Sequence, residues 1–299
     1  MAAVLNSNVA SLWASKNLQG AQSKMADSVE RLSSGLRINR AKDDAAGLGI
    51  ANALTSQINS ANQGVRNLND GISMVQTAEG AIGAAQEMVQ RILTLATQGA
   101  NGTMGSTERK AIRSEMKQLM IAIDGISGRT KFSGVSLLDG NAKTLQVSNV
   151  SGDTISLAAS AFTSIGVGTL TFGNGTTFDN IGGSWAGAAG ALMGKINATA
   201  DSSLATADFT DIQGVAQTFI TSLSTQRSLL GAYQNQIEFT VSNTTELASN
   251  LTAARSSVQD TDYASETANL TKGQILQQAA TAMLAQANQM PNVILSLLK

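Results

Sequence analysis

From Ile212 to Val258 the chain repeats a mostly apolar stripe in alternating steps of four and three for more than six heptads. The stripe runs Ile212, Ala216, Phe219, Leu223, Gln226, Leu230, Tyr233, Ile237, Thr240, Thr244, Leu247, Leu251, Ala254 and Val258. A stripe kept at that spacing belongs to a helix packed along its length on other helices. The 299 residues include one proline, against an average near 5%, so long uninterrupted elements are expected. An answering array lies in the N-terminal half: Ile58, Ala61, Val65, Leu68, Ile72, Val75, Ile82, Val89 and Ala96, interrupted at Glu79 and Gln86. It predicts a helix from Asp44 to Gln98, roughly 80 Å long at 1.5 Å per residue. Asp70-Gly71 is a favoured hairpin pair, but the register continues past it, and Gly inside a helix costs only about 1 kcal/mol relative to Ala. Ile112, Met116, Leu119, Ile123 and Ile126 predict a third helix, capped near Ser106 and ending at Gly128.

The C-terminal segment narrows the reading further. Residues 273–298 carry no charge, and Leu276, Ala280, Met283, Ala287, Met290, Ile294 and Leu297 repeat the four-three steps. Apolar residues cover most of that helix's circumference, so one partner helix cannot bury them. The remainder of the chain shows no compact core to receive it. Other copies of the chain are the neighbours this pattern implies, and polymerisation is the expected behaviour.

Composition removes several function classes. With no His and no Cys, no Ser–His or Cys–His nucleophile, no histidine-ligated metal, no zinc site and no disulfide can be built. An enzyme is not expected, and no cofactor or metal is implied. Twenty basic and 21 acidic residues give a formal net charge of −1, which provides no electrostatic basis for binding nucleic acid or anionic lipid. No run of about 18 apolar residues suggests a membrane span. Met1-Ala-Ala-Val-Leu-Asn-Ser lacks the basic n-region of a secretory signal, so export by a route without cleavage is the expectation. Asp260, Asp262 and Glu266 lack the further oxygen ligands of a calcium loop and read as an acidic helix start.

Residues 140–206 are of another kind: rich in Gly, Ser and Thr, with little charge. Leu145/Val147 and Ile155/Leu157 alternate around Ser151-Gly152 and predict a hairpin, and Ala186–Ala200 a short helix. The expected fold class is mainly α: a long antiparallel coiled-coil bundle drawn from both chain ends, with a small β-rich or loop insert in the middle.

Several ordered blocks then carry a resemblance. Ser33-Ser-Gly-Leu-Arg-Ile-Asn39 with Ala41-Lys-Asp-Asp-Ala-Ala-Gly47 resembles the N-terminal signature of bacterial flagellin. Asn69-Asp-Gly-Ile-Ser73, Thr77-Ala-Glu-Gly80 and Phe132-Ser-Gly-Val-Ser-Leu-Leu-Asp-Gly140 resemble later blocks of that family, in order. Asp260-Thr-Asp-Tyr-Ala264, Gln274-Ile-Leu-Gln-Gln278, Leu284-Ala-Gln-Ala-Asn-Gln289 and Leu295-Ser-Leu-Leu-Lys299 resemble its C-terminal signature.

The resemblance implies a secreted structural subunit of the extracellular flagellar filament, exported by the type III apparatus and serving motility. It implies residues 1–43 and 258–299 as inner-tube terminal helices, 44–142 and 207–257 as an outer-tube helical bundle, and 143–206 as a small variable surface insert. Leu276, Met283, Leu284, Ile294, Leu297, Leu298, Val9 and Leu12 are then the expected polymerisation residues of the inner tube. Arg37, Arg40, Lys42, Asp43 and Asp44 fall in the spoke where charges meet between subunits. Gln90-Arg-Ile-Leu-Thr-Leu-Ala-Thr-Gln98 resembles the segment read by the vertebrate Toll-like receptor for flagellin, which places Arg91, Leu95 and Glu115 at contact positions. Further implied partners are other copies of the chain, the flagellar junction and cap proteins, and an export chaperone at the C-terminal region. Two alternatives remain at this point: a hook–filament junction protein, and a membrane-inserting translocator. The polar residues between Gln274 and Asn292 oppose the second.

Overall fold

The computed structural model describes residues 8–165, 170–171, 177–178, 186–198 and 205–297. The chain divides into two compact units, residues 1–58 with 249–299, and residues 59–248. Helices dominate: α1 (Val9–Ser34), α2 (Ala45–Gly99), α3 (Ser106–Arg129), α4 (Ala186–Ala198), α5 (Thr206–Gln259) and α6 (Tyr263–Leu297). Three two-stranded antiparallel pairs lie between α3 and α5 in the sequence: β1 (Lys131–Phe132) with β2 (Val135–Ser136), β3 (Lys143–Gln146) with β4 (Thr154–Leu157), and β5 (Leu170–Thr171) with β6 (Thr177–Phe178). The mainly helical class and the small strand-bearing middle are therefore as expected. The single proline does not break its helix, since α6 runs on through Pro291.

In the unit of residues 59–248, α2 packs antiparallel to both α3 and α5. Arg91 meets Glu115 of α3, while Arg227 of α5 meets Glu79 and Phe209 lies against Gly99. Ala61, Leu68, Val75, Ile82, Val89 and Ala96 form one buried column of α2, as the heptad predicts. The second column departs from the prediction. Val65, Ile72, Glu79 and Gln86 are only half-buried, and the buried positions are Gly64, Gly71, Ala78, Ala85, Ile92 and Gly99. Each lies three rather than four residues past the first column, and most are small. The reason is close approach. A Cβ at Gly64 would overlap the carbonyl oxygen of Val147, and one at Gly71 would strike the Leu145 side chain. Asp70-Gly71 is thus no turn; its glycine makes room for the β3–β4 hairpin.

The interruptions at Glu79 and Gln86 have the same explanation. They sit beside the seam, where Arg227 reaches both, Nη2 to Glu79 Oε1 at 3.2 Å and Nη1 to Gln86 Oε1 at 3.3 Å. The fork stays open to solvent, so it contributes about 0–1 kcal/mol and chiefly fixes register. On α5 the predicted stripe is buried at Ile212, Ala216, Phe219, Leu223, Gln226, Leu230, Ile237 and Thr244. Beyond Thr244 the buried position is Ala248, with Leu247 turned out at 51% exposure. The added residue is a stutter, which locally unwinds a coiled coil.

The hairpin lies on α2 rather than projecting from it. Asn67 Nδ2 donates to the Gln146 carbonyl at 3.0 Å, and the Asn149 amide donates to Ser60 Oγ at 2.7 Å. Beyond it, Phe162 and Ile165 are fully buried. The buried Gln226 amide holds the Ala161 and Thr163 carbonyls at 3.2 and 3.0 Å, and Tyr233 Oη accepts from the Ala158 amide. Within α4, Leu192, Met193 and Ile196 are buried, and Arg113 Nε donates to the Ile196 carbonyl. Much of the segment expected as a surface insert therefore supplies core. Its Gly, Ser and Thr content hid a handful of well-spaced large residues.

Gly64→Ala is expected to destabilise the folded chain by about 1–3 kcal/mol, because the clashing atom is backbone and cannot rotate away. Gly80, exposed and with open space where a Cβ would stand, gives the opposite sign: Gly80→Ala should stabilise by about 0.5–1 kcal/mol. Denaturant unfolding of the two variants beside the parent checks both.

Candidate assembly surface

Residues 1–58 and 249–299 build a different kind of helix pair. α1 and α6 lie antiparallel, with Asn8 Nδ2 donating to the Ala287 carbonyl at 2.7 Å, Ser11 Oγ to Asn288 Oδ1 at 3.0 Å, and Arg31 facing Glu266 at 3.8 Å at the other end. Asn8 also caps α1, its Oδ1 accepting from the Ser11 amide. The seam is thin. On α1 the buried residues are Ala14, Ala21 and Ser28; on α6 they are Glu266, Gly273 and Ala287, with Leu270, Gln277, Ala280 and Leu284 half-buried between them. A Cβ at Gly273 would stand 3.4 Å from Met25 Cβ. Small side chains bring the two backbones close at these points, with Leu18, Met25 and Leu32 of α1 half-buried between them, while Leu12, Trp13, Leu276 and Met283 stay outside.

Those side chains point outward. Leu12 is 68% exposed, Trp13 63% and Met283 65%, with Val9 and Leu276 about half exposed. Val9, Trp13, Leu276 and Met283 line a groove of 1010 Å³ between the two helices, edged by Lys16 and Lys24. Lys16 Nζ sits 5.9 Å from the centre of the Trp13 ring, a cation–π arrangement. Large apolar side chains grouped in solvent along two adjoining helices are candidates for cover by another molecule. Of the eight expected polymerisation residues, Val9, Leu276 and Met283 line this groove, Leu12 is exposed on α1 beyond its lining, and Leu284 turns into the seam. The side chains of Ile294 and Leu297, and all of Leu298, lie outside the described residues.

The charged stretch 37–44 forms a clasp within the chain. The Arg37 amide donates to the Gln259 carbonyl at 2.7 Å, and the Thr261 amide to the Gly35 carbonyl at 3.0 Å. Arg37 Nη2 adds a bond to the Val258 carbonyl at 2.6 Å, and Arg40 Nε pairs with Glu30 at 2.8 Å. Gly35 ends α1 at φ +73°, a conformation glycine adopts without strain; a Cβ there would press the Tyr263 hydroxyl. Asp43 accepts from the Asn39 and Arg40 amides, Asp44 caps α2 through the Gly47 amide at 2.8 Å, and Ile38 is 1% exposed beneath them. Four of the five residues expected to meet charges of another subunit thus have tasks inside their own chain; Lys42 is exposed. Asp262 likewise caps α6, accepting from the Ala264 amide at 2.9 Å, as expected of an acidic helix start. An Asp three residues before a buried Gly, and one two residues ahead of Ala264, are cap signals present in the sequence.

In the other unit, Arg91 Nε and Nη2 donate to Glu115 Oε1 at 3.0 and 2.8 Å, an exposed pair linking α2 and α3. Leu95 is not on that surface. At 2% exposure it packs in the core with Ile92 and Ala96, because it shares a helix face with Ile92, three residues before it, and Gly99, four after, both buried. A partner reading this face meets the ion pair and not Leu95.

Two family models match the chain: the bacterial flagellin N-terminal helical region over residues 5–143, and the bacterial flagellin C-terminal helical region over residues 213–298. A flagellin of Bacillus subtilis (strain 168) is 40% identical over 306 residues, covering 99% of each chain. The chain belongs to the bacterial flagellin family. Flagellin B of Vibrio cholerae is 34% identical over 375 residues, covering all of both chains. The flagellar filament 33 kDa core protein of Treponema phagedenis is 36% identical over 99% of this chain and 100% of its own. Among solved structures, the crystal structure of Bacillus cereus flagellin is similar at 26% identity and a TM-score of 0.44, over 64% of this chain and 94% of that one. This flagellin is accordingly a structural subunit of the filament; neither the junction-protein reading nor the translocator reading is favoured. No described helix is long and apolar enough to cross a membrane.

The Asp43 carboxyl is held below its ordinary 3.8 by the Arg40 amide first, against the opposing effect of burial, with the Asn39 amide, Lys42 and Arg31 adding to the lowering. A depressed native value means that its contribution to stability is present above pH 3.8 and is lost as pH falls through the depressed value. Asp43→Asn should therefore unfold more easily than the parent at neutral pH. The gap should close on acidification below pH 3.8, followed by thermal unfolding across a pH series.

Proposed function

We propose that copies of this flagellin join through the outward face of the α1–α6 pair, and that this face builds the inner wall of the filament. The observation that carries the reading is the division of labour on α6. Small residues at Gly273, Ala280 and Ala287 let α6 lie close on α1, while Leu276 and Met283 stand in solvent on a segment with no charge between Lys272 and Lys299. Burying an exposed Leu or Met contributes about 1.5–3 kcal/mol, so a few such side chains per subunit suffice to drive association once several neighbours supply the cover. Residues 1–43 and 258–299 would form this inner layer, 44–142 and 207–257 an outer layer, and the exposed parts of 143–206 the filament surface.

Around that core reading stand further proposals drawn from the family. The chain is exported and works outside the cell, meets junction and cap proteins at the filament ends, and is shielded before export by a chaperone on its C-terminal region. It performs no catalysis. The exposed Arg91–Glu115 pair is the point at which a Toll-like receptor would read the monomer. Receptor activation that survives both Arg91→Ala and Glu115→Ala would remove that proposal.

The assembly reading is tested with Leu276→Lys and Met283→Lys. Both sites are exposed in the chain, so unfolding should shift by no more than about 0.5 kcal/mol, while seeded growth seen by electron microscopy is lost. Long filaments from the double variant would overturn the reading.

A further inference from the structure

Five Asn-Gly or Asp-Gly pairs occur in the chain: Asp70-Gly71, Asn101-Gly102, Asp124-Gly125, Asp139-Gly140 and Asn174-Gly175. Such pairs are chemically labile when the glycine amide nitrogen is free to reach the preceding side-chain carbonyl carbon, because glycine offers the least steric resistance to that rotation. Folding decides which of them is open. Asp70-Gly71 and Asp124-Gly125 are inside α2 and α3, where helical backbone geometry holds the nitrogen away, and Gly71 is buried against Leu145. At Asp139-Gly140 the glycine amide donates to the Phe162 carbonyl at 2.8 Å. The Asp139 carboxylate is tied there by Lys143 Nζ at 2.9 and 3.0 Å and by the Asn141 amide at 3.0 Å. The fifth pair, Asn174-Gly175, lies outside the described residues.

Asn101-Gly102 differs on each count. Both residues are exposed in the turn between α2 and α3. Space around Gly102 is open, with no atom within 4 Å of where a Cβ would stand. The Asn101 side-chain oxygen accepts from the Thr103 amide at 3.2 Å, which draws electron density from Cγ and makes it a better electrophile. Asn101 is also an amide rather than a carboxylate, and ammonia is the better leaving group against an ionised oxygen.

We propose that Asn101 is a site of spontaneous deamidation in the folded protein. The Gly102 nitrogen attacks Asn101 Cγ, the bond from Cγ to Nδ2 breaks, and ammonia departs with the proton from the attacking nitrogen. Water then opens the five-membered imide at either carbonyl, leaving aspartate or, by the other route, isoaspartate with the main chain rerouted through the β-carbon. Each event adds one negative charge to a chain whose formal net charge is −1. It also disturbs a turn in which the Asn101 carbonyl accepts from both the Met104 amide and Arg109 Nη2. Older subunits thereby carry a covalent mark on the α2–α3 turn.

The test is incubation of the full-length chain at neutral pH and body temperature over days, followed by peptide mapping by mass spectrometry and isoelectric focusing. The Asn101 peptide should gain the mass of an amide-to-acid exchange, with isoaspartate present, and an acid-shifted band should grow at the same rate. Gly102→Ala fits the open space without a clash, so it should fold as the parent does and slow the modification by roughly tenfold. An Asn101 that stays intact in the folded chain but converts in the same chain unfolded in denaturant would overturn the proposal. So would a rate unchanged by Gly102→Ala.

Discussion

How closely two helix backbones approach decides what their side chains are free to do, and in this flagellin that distance is set by alanine, glycine and serine. Across the α1–α6 seam the small residues are Ala14, Ala21, Ser28, Gly273, Ala280 and Ala287, alternating with half-buried Leu18, Met25, Leu270 and Leu284. That seam leaves Leu276 and Met283 of α6 and Leu12 and Trp13 of α1 in solvent, where the proposed assembly contacts would cover them.

The same device serves a different end in residues 59–248. Gly64 and Gly71 admit the β3–β4 hairpin to the backbone of α2, and the hairpin then covers that stretch of the helix. Polar groups hold that arrangement in register. Gln226 and Tyr233 pin the segment after β4, Arg227 clips α5 to Glu79 and Gln86, and Arg113 secures α4. Two units with one chemistry of small residues therefore behave in opposite ways, one closed around its own insert and the other presenting an open face.

Much of this was legible in the sequence. The four-three spacing and the single proline indicated long helices, Ser106 marked the start of α3, and the Ser151-Gly152 turn located the hairpin. The uncharged tail pointed to partners beyond the chain. The choice of heptad column on α2 was not legible. Val65 and Ile72 are better hydrophobes than Gly64 and Gly71, so transfer free energy alone favours the wrong column. What reverses the choice is the approach of Leu145 and Val147, distant in sequence. Glu79 and Gln86 were the available hint, since two polar residues on one supposed seam column argue for the neighbouring column. The expectation for Leu95 came from the family resemblance and not from spacing, and the clasp joining Arg37 to Gln259 depends on a backbone pairing that no spacing encodes.

The claim on which the account rests is that small residues close the α1–α6 seam within one chain. The protein has no cysteine, so an engineered pair reports without background. Gly273 presents its Cβ direction 3.4 Å from Met25 Cβ, near the separation of about 3.5–4.5 Å that a disulfide spans. Filaments assembled from Met25→Cys/Gly273→Cys, oxidised and then dissociated, should release single chains carrying an internal cross-link. Ladders of chains linked to one another, with no internally bridged monomer, would show that this seam forms between subunits and would contradict the account.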